Sequence, residues 1–438
     1  MHLSDATKKD TPYTWIATRA TLQKLVDELS SVRRIAVDIE ADSLYHYFEK
    51  VCLIQISTDS ITYVLDPLAL QDLSPLAPVM ADPEMEKVFH AASYDILCLR
   101  RDYGFSFASI FDTHVAAQLL GYPQLGLSAL LESLLGVAHS KRFQREDWSR
   151  RPLSSEHLQY AAMDTHYLLA LRDLLEQQLL EKGRLEWARE EFEIAAATEI
   201  AAKEFDTEGF RRIKGSRELS VSRMAVLRAL YLLRERYARE MDLPPFKILQ
   251  SSVLLDLARR PPESPHALHG RRGIAPRVAN RFGKEICQTI QEALSEDPSF
   301  LMLRPRASWK PPSHEARERL ERLKSWRQVK AQELGLHVGV VFAGTLLEII
   351  AQSPPRDLES LEKIEGMRRW RVRQFGADLL EPLAPDELWP ELRTRHGVQA
   401  LACSDSAQPE GCTPNLCAGG HAPTRCGLNS EPGMEFRL

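Results

Sequence analysis

Asp38 and Glu40 stand two apart in the run Arg34-Ile-Ala-Val-Asp38-Ile-Glu40. On a strand, both carboxylates point to one face while Val37 and Ile39 point to the other, into a core. Alone, such a pair is usually no more than a solvent face. A third acid, Asp95, follows Val88-Phe-His90 and begins a stretch with an apolar helical face. By itself it reads as a charge favoured at a helix N-terminus. The last element is Tyr160-Ala-Ala-Met-Asp164, where i, i+4 spacing stacks a phenol and a carboxylate on one helical face. Its bland alternative is an amphipathic helix with Tyr160 half buried. As a set, four carboxylates from three elements, with a Tyr one turn before the last, meet a specific chemical need. Phosphodiester hydrolysis assisted by two divalent ions about 4 Å apart requires several anionic oxygens to offset the ionic charge, and an in-line path for attacking and leaving groups.

The elements that would hold these groups are legible in the same stretch. Arg19 to Leu29 has Leu22, Leu25, Val26 and Leu29 on one helical face and leads into the Asp38 strand. Val51 to Ser57 and Ile61 to Leu65 are rich in β-branched residues around Thr58-Asp59-Ser60, which predicts an antiparallel hairpin. A short strand at Val88 precedes helices over 95–103, 113–120 and 127–135, and one long helix is expected over 155–180. Strands first with helices around them predict an α/β layer with a mixed sheet.

After Gly183 the strand signals stop. The segments 258–283 and 351–376 repeat each other: Pro261 matches Pro354, Leu268 Leu361, Gly273 Gly366 and Phe282-Gly283 Phe375-Gly376, at an offset of 93. Upstream, Leu254-Leu-Asp-Leu257 matches Leu346-Leu-Glu-Ile349 at an offset of 92, which implies a one-residue gap. A long fixed period with matching Gly and Pro marks duplicated modules. The expected order is therefore an α/β domain over 13–190, all-helical domains over 208–297 and 313–385, and a disordered tail over 386–438.

Charge follows that division. The formal charge of -5 separates into +8 over 206–290, +6 over 303–376 and -19 elsewhere. Basic helical modules beside an acidic α/β domain read as anion-binding appendages on a body that concentrates carboxylates; solvated Arg-rich surfaces are the alternative.

Asp38-Ile-Glu40, the His90 to Asp95 segment and Tyr160-x-x-x-Asp164 resemble the three motifs of the DEDD exonuclease superfamily, in its Tyr subclass. Cys52-Leu-Ile-Gln-Ile-Ser57, Phe111-Asp-Thr113, Lys141-x-x-Gln-Arg-x-Asp-Trp148 and Arg151-Pro-Leu153 are similar to the ribonuclease D family, and the helical modules resemble its pair of HRDC domains. The resemblance spans about residues 13 to 385. It implies a ribonuclease H-like mixed sheet flanked by helices, followed by two small all-α HRDC domains. It further implies that Asp38, Glu40, Asp95 and Asp164 hold two Mg²⁺ or Mn²⁺ ions, and that Tyr160 orients the attacking water. The expected activity is removal of nucleoside 5′-monophosphates from RNA with a free 3′ end, tRNA precursors among them. A DNA 3′-5′ exonuclease, or a non-catalytic RNA-binding protein on the same fold, are the alternatives. Ile39 stands where many relatives have Thr and should face the core. Asp112 is expected to cap a helix, and His114 and His166 are left outside the site.

Lys141, Arg142 and Arg145, in a polar loop, are candidate phosphate contacts, or simply solvated. In the modules, Arg271, Arg272 and Arg277 and, in the corresponding stretch of the second, Arg368, Arg369 and Trp370 suit phosphate contact with base stacking, or else helix packing. The 438 residues, 44% hydrophobic and 8% aromatic, fit several globular cores and exclude a fibrous or wholly disordered chain. Three of the seven Cys (Cys52, Cys98, Cys287) fall in apolar patterns as small hydrophobes, so no disulfide framework is expected. The tail Cys403, Cys412, Cys417 and Cys426 lack the close pairing of structural zinc sites. The first residues lack an apolar signal core, and the longest apolar run, Val338 to Leu347, is short of a membrane span. A cytoplasmic protein without a membrane partner is expected; nothing specifies an obligate protein partner or an oligomeric state.

Overall fold

The structure is a computed structural model and describes residues 11–197, 205–298 and 313–383. A six-stranded mixed sheet runs in the order β1 (Tyr13–Ile16), β4 (Thr62–Leu65), β3 (Val51–Ser57), β2 (Arg34–Ala41), β5 (Glu86–Phe89), β6 (Ile110–Asp112). The predicted hairpin is β3–β4; β2 also runs antiparallel to β3, and the remaining pairs are parallel. β1 and β6 go beyond the sequence expectation. At four and three residues they are too short to show a period of two, and they become strands by pairing at the sheet's edges.

The β2–β3 register sets Asp38 opposite Gln55 and Glu40 opposite Leu53. Val37, Ile39, Ile54 and Ile56 fall on the other face, in a core shared with Leu22, Leu25 and Leu29 of α1 (Arg19–Leu29). Ile39 is buried there, as expected. The short α2 (Pro67–Leu70) and α3 (Ala77–Ala81) follow β4, and α4 (Ser93–Tyr103) adds Ile96 and Leu99 to the same core. The opposite face carries α5 (Thr113–Leu120), α6 (Leu127–Leu135), α7 (Ser155–His166), α8 (Leu168–Glu181) and α9 (Leu185–Ala197). The expected single helix over 155–180 is thus two. Tyr167, at φ -101 and ψ 3, leaves helical geometry, and the halves pack separately. Ala161 and Ala162 meet Leu53 and Val64, whereas Leu171 and Leu175 join Val88 and Phe111.

The first helical module contains α10 (Val221–Glu240), α11 (Pro245–Ile248), α12 (Ser251–Arg259) and α13 (Pro276–Ser295). The second contains α14 (His314–Leu334), α15 (Val338–Val341), α16 (Gly344–Gln352), α17 (Leu358–Glu362) and α18 (Arg369–Leu380). Their equivalent helices start 93 residues apart throughout, at 221 and 314, 245 and 338, 251 and 344, 276 and 369. The one-residue gap read from the sequence is therefore absent. Leu254 pairs with Leu347 and Leu257 with Ile350, all buried, whereas the offset of 92 would match buried Leu257 with exposed Ile349. Burial, not residue identity, fixes the alignment.

The modules repeat in fold but not in docking. The first keeps its own core, with Phe210, Leu227, Leu254 and Phe282. Asp242 joins it to the β2–β3 loop, accepting N–H groups from Tyr47 and Phe48 at 3.0 Å each and facing His46 Nδ1 at 2.7 Å. The core of the second, with Leu323, Phe342, Leu347 and Phe375, is continuous with that of α5, α8 and α9. Backbones touch at Gly121, at φ +87, where a Cβ would lie 2.0 Å from the Gly335 carbonyl oxygen. Arg184 spans the seam, donating to the carbonyls of Leu119 at 2.8 Å and Leu334 at 2.7 Å.

Candidate active site

β2 presents Asp38 and Glu40 toward α7, which crosses the sheet and carries Tyr160 and Asp164. Carboxylate oxygens of Asp38, Glu40 and Asp164 lie within 4.8 Å of one another. Asp95 comes from the first turn of α4. Its presentation depends on Asp112, which accepts N–H groups from Ala91 at 3.0 Å and Ala92 at 2.8 Å while capping α5 through His114 and Val115. Asp112 is thus the expected cap and also pins the turn that delivers Asp95. Asp95 is buried, and its Oδ2 has no hydrogen-bond partner among the described residues.

Burial first, and then the neighbouring carboxylates, holds Asp38, Glu40 and Asp95 well above the usual carboxylate range. Burial also raises Asp164, against the influence of His139. One buried and three half-buried acids that resist ionisation in one another's company, one with an oxygen unpartnered among the described residues, are a donor set suited to hard divalent cations. The acids the sequence singled out therefore fit a metal centre.

Tyr160 is half-buried beside them, its ring flanked by Trp148 at 6.0 Å, Phe143 at 5.7 Å and His139 at 5.5 Å between centroids. Burial, and then Asp164, Glu40 and Asp38, raises its pKa, so at neutral pH it is a phenol with a proton to donate. Tyr160→Phe is expected to lower kcat about 10²-fold, the scale of a misoriented attack, with metal affinity unchanged in a Mn²⁺ titration. A wild-type rate that climbs with pH through the alkaline range, and a Tyr160→Phe variant that loses that climb, would instead assign Tyr160 the role of base.

His139 is a neighbour that the sequence did not single out. Its Nε2 lies 3.0 Å from Asp164 Oδ1, at ion-pair distance but not aligned for a hydrogen bond. It sits in an irregular loop with no periodic pattern around it, so only the folding of that loop over Tyr160 brings it here. Gln55, across the ladder from Asp38, is the other. A long polar residue inside an apolar strand was the signal available for it.

The candidate RNA contacts divide sharply. Lys141, Arg142 and Arg145 are exposed, with Arg142 pairing Glu156 at 3.0 Å. Arg272 is exposed and has no ion-pair partner among the described residues, whereas Arg271 turns inward and donates to the Arg260 carbonyl at 2.7 Å. In the second module, base stacking by Trp370 is overturned. Trp370 is 3% exposed, stacks on Trp187 at 4.7 Å and 14°, and donates from Nε1 to Glu191 at 3.0 Å. Arg368 and Arg371 pair with the same Glu191 at 3.0 Å each, and Arg369 approaches Glu190 at 3.8 Å and Glu193 at 3.7 Å. The acidic face of α9 takes up these cations and the apolar seam takes the ring. Arg368 and Trp370 therefore hold the module to the sheet domain.

Comparison with known proteins gives the class. A 3′-5′ exonuclease family model matches residues 13–180, and an HRDC domain model matches 223–290 and 316–383. The chain is 30% identical over 368 residues to a ribonuclease D of Gluconacetobacter diazotrophicus, covering 83% of this chain and 91% of that one. This chain belongs to the ribonuclease D family. It is also 33% identical over 289 residues to the exosome complex component 10 homolog of Caenorhabditis elegans, a match covering 65% of this chain but only 33% of that relative. The crystal structure of Escherichia coli RNase D shares the fold, with a TM-score of 0.61 at 24% identity over 85% of this chain and 99% of that one.

Proposed function

We propose that the chain is a 3′-5′ exoribonuclease that hydrolyses RNA from a free 3′ end to nucleoside 5′-monophosphates. Structured RNA such as tRNA precursors would be its substrate. The observation that carries this reading is the convergence of Asp38, Glu40 and Asp164 within 4.8 Å, joined by an Asp95 oxygen without a partner among the described residues and flanked by Tyr160. Asp38, Glu40, Asp95 and Asp164 would hold two divalent ions, Mg²⁺ or Mn²⁺. Such ions supply a more acidic water and charge neutralisation at the phosphodiester. The chain's own contribution is orientation. Asp112 fixes the turn bearing Asp95, α7 delivers Tyr160 and Asp164 one turn apart, and Trp148 and Phe143 confine the phenol so that its hydroxyl can direct the nucleophile.

The experiment that tests this reading offers 3′-labelled RNA and DNA oligomers of one sequence to the full chain, with chelator and with Mn²⁺ or Mg²⁺. Monophosphate release from RNA alone, and only with metal, is expected; cleavage in chelator would overturn the reading, and equal release from DNA would make the enzyme a general exonuclease.

RNA approach is assigned to the exposed cations of the 141–151 loop and the first module. Lys247 stands over the Tyr45 ring at 3.9 Å, and Tyr45 in turn donates to the Arg145 carbonyl at 2.7 Å, so the two basic segments meet. Burial lowers the Lys247 pKa; Arg150 and Arg277 add to this, against Asp147. Replacing Arg272 and Arg277 together by Gln should weaken RNA binding and reduce the slope of log K against log salt by about 1.4, at about 0.7 per lost phosphate contact on a single strand. Filter binding at several salt concentrations checks this; an unchanged slope removes these two residues from the RNA path.

A further inference from the structure

β3 is buried along its whole length, and its one long polar side chain, Gln55, is 0% exposed. Its neighbours on the same face define where it points. Two residues later, Ser57 Oγ bonds Thr165 of α7 at 2.7 Å and Thr62 at 2.8 Å. Two residues earlier, Leu53 packs with Ala161, Ala162 and Trp148. Gln55 therefore lies beneath the turn of α7 that carries Asp164, and it is the direct ladder partner of Asp38. Directly paired residues on one face have Cβ atoms about 4.5–5.5 Å apart.

Nevertheless neither Nε2 nor Oε1 of Gln55 has a hydrogen-bond partner among the described residues. A buried polar group left unbonded costs about 1–3 kcal/mol, and nearly all such groups in folded proteins are satisfied. Met or Leu would fill the same volume without that cost. A purely packing role is thus the one this residue type serves worst. The acid that the strand register sets directly across from it is Asp38.

We propose that Gln55 is a positioning residue of the metal centre, whose Nε2 donates to the Asp38 carboxylate when the site is loaded and fixes that ligand's orientation. The Oε1 then accepts from water held in the site. This rests on the reading of Asp38, Glu40, Asp95 and Asp164 as metal ligands. An ionised carboxylate draws a donor more strongly than a protonated one, so the bond is worth most with cations present. Partners that orient ligands from behind typically change metal affinity or activity 10–100-fold when removed.

The test uses the full chain, with Mn²⁺ binding followed by calorimetry and melting followed in chelator. For Gln55→Met the expected result is Mn²⁺ affinity lower by about 10–100-fold, with the melting temperature in chelator unchanged or raised. At saturating Mn²⁺, kcat falls while KM for RNA is kept. Wild-type Mn²⁺ affinity in this variant overturns the proposal, as does a drop in chelator melting temperature without any change in affinity, the signature of a merely structural amide. If the Met variant does not fold, Gln55→Asn, which withdraws the amide by one methylene, enters the same titration with the same two readings. Asp38→Ala runs alongside. Its loss of Mn²⁺ binding together with wild-type binding by the Gln55 variant overturns the Gln55 role alone, whereas retained binding by Asp38→Ala overturns the metal-ligand reading and this inference with it.

Discussion

Asp38→Asn should lower RNA hydrolysis by at least about 10³-fold, about 4 kcal/mol of barrier at 1.36 kcal/mol per tenfold, and should at the same time raise the melting temperature of the metal-free protein. The two effects share a cause. Asp38 stands in a partly buried group with Glu40, Asp95 and Asp164, where burial and like charge oppose ionisation. Folding in the absence of cations must bring these groups together, whereas the unfolded chain keeps them apart in water. An amide of the same shape removes one member of that repulsion and, on the proposed reading, one metal ligand together. A melting rise of a few degrees is expected, since 1 kcal/mol corresponds to about 2–4 °C for a body of 150–250 residues. Adding Mn²⁺ should reverse the order of stability, because the wild type gains about 2.7 kcal/mol at a concentration 100 times its Kd and the variant gains much less. Melting curves of both proteins in chelator and in Mn²⁺, beside a single-turnover assay, check both halves. A variant that loses activity and also melts lower in chelator would show Asp38 to be a structural acid whose loss disturbs the sheet.

Trp370→Ala is expected to cost about 3–5 kcal/mol of stability, the range for a large buried aromatic, without changing the salt dependence of RNA binding. The ring fills the seam between α18 and α9, stacked on Trp187 and edge-on to Phe375 at 6.0 Å. Its removal leaves a cavity and strips Glu191 of the Nε1 donor. Glu191→Gln attacks the same seam by charge. It weakens the partners of Arg368 and Arg371, and Arg371, which also stands over the Trp370 ring at 4.3 Å, is largely desolvated. Breaking a buried pair from one side costs about 3–5 kcal/mol. Denaturant unfolding, monitored by tryptophan fluorescence, should show an early transition in both variants, with loosening of the second module spreading into α8 and α9 because they share one core. Wild-type stability together with a reduced salt slope would return Trp370 and its arginines to an RNA-facing role.

The contrast between the modules shows where sequence reading reaches its limit. The duplicated period, the Gly and Pro positions and the excess of Lys and Arg are all local properties, and each is plain in the chain. Whether an Arg faces RNA or a glutamate is not local. Arg272 and Arg371 occupy comparable basic stretches, yet the first is exposed while the second pairs with Glu191, 180 residues away in sequence. The single-residue error in the repeat has the same origin. Leu, Leu, acid and an aliphatic match at offset 92 as letters, but the buried face of α16 is set by what packs against it.

For the site, sequence alone determined the residue types and their local placement: two acids on one face of a strand, one in the first turn of a helix, and a phenol one turn before a last acid. Period-two and period-3.6 geometry specify those relations wherever the elements lie. It also determined the mixed α/β character and the duplicated helical modules, because hydrophobic periodicity is a local signal. Only the tertiary structure decided that Asp38, Glu40 and Asp164 come within 4.8 Å, that His139 stands against Asp164, and that Gln55 faces Asp38 with no hydrogen-bond partner among the described residues. It alone also turned Arg368 and Arg371 toward Glu191. Each of these is a contact between groups distant in the chain, fixed by strand register and core packing, and no spacing within a single element encodes it.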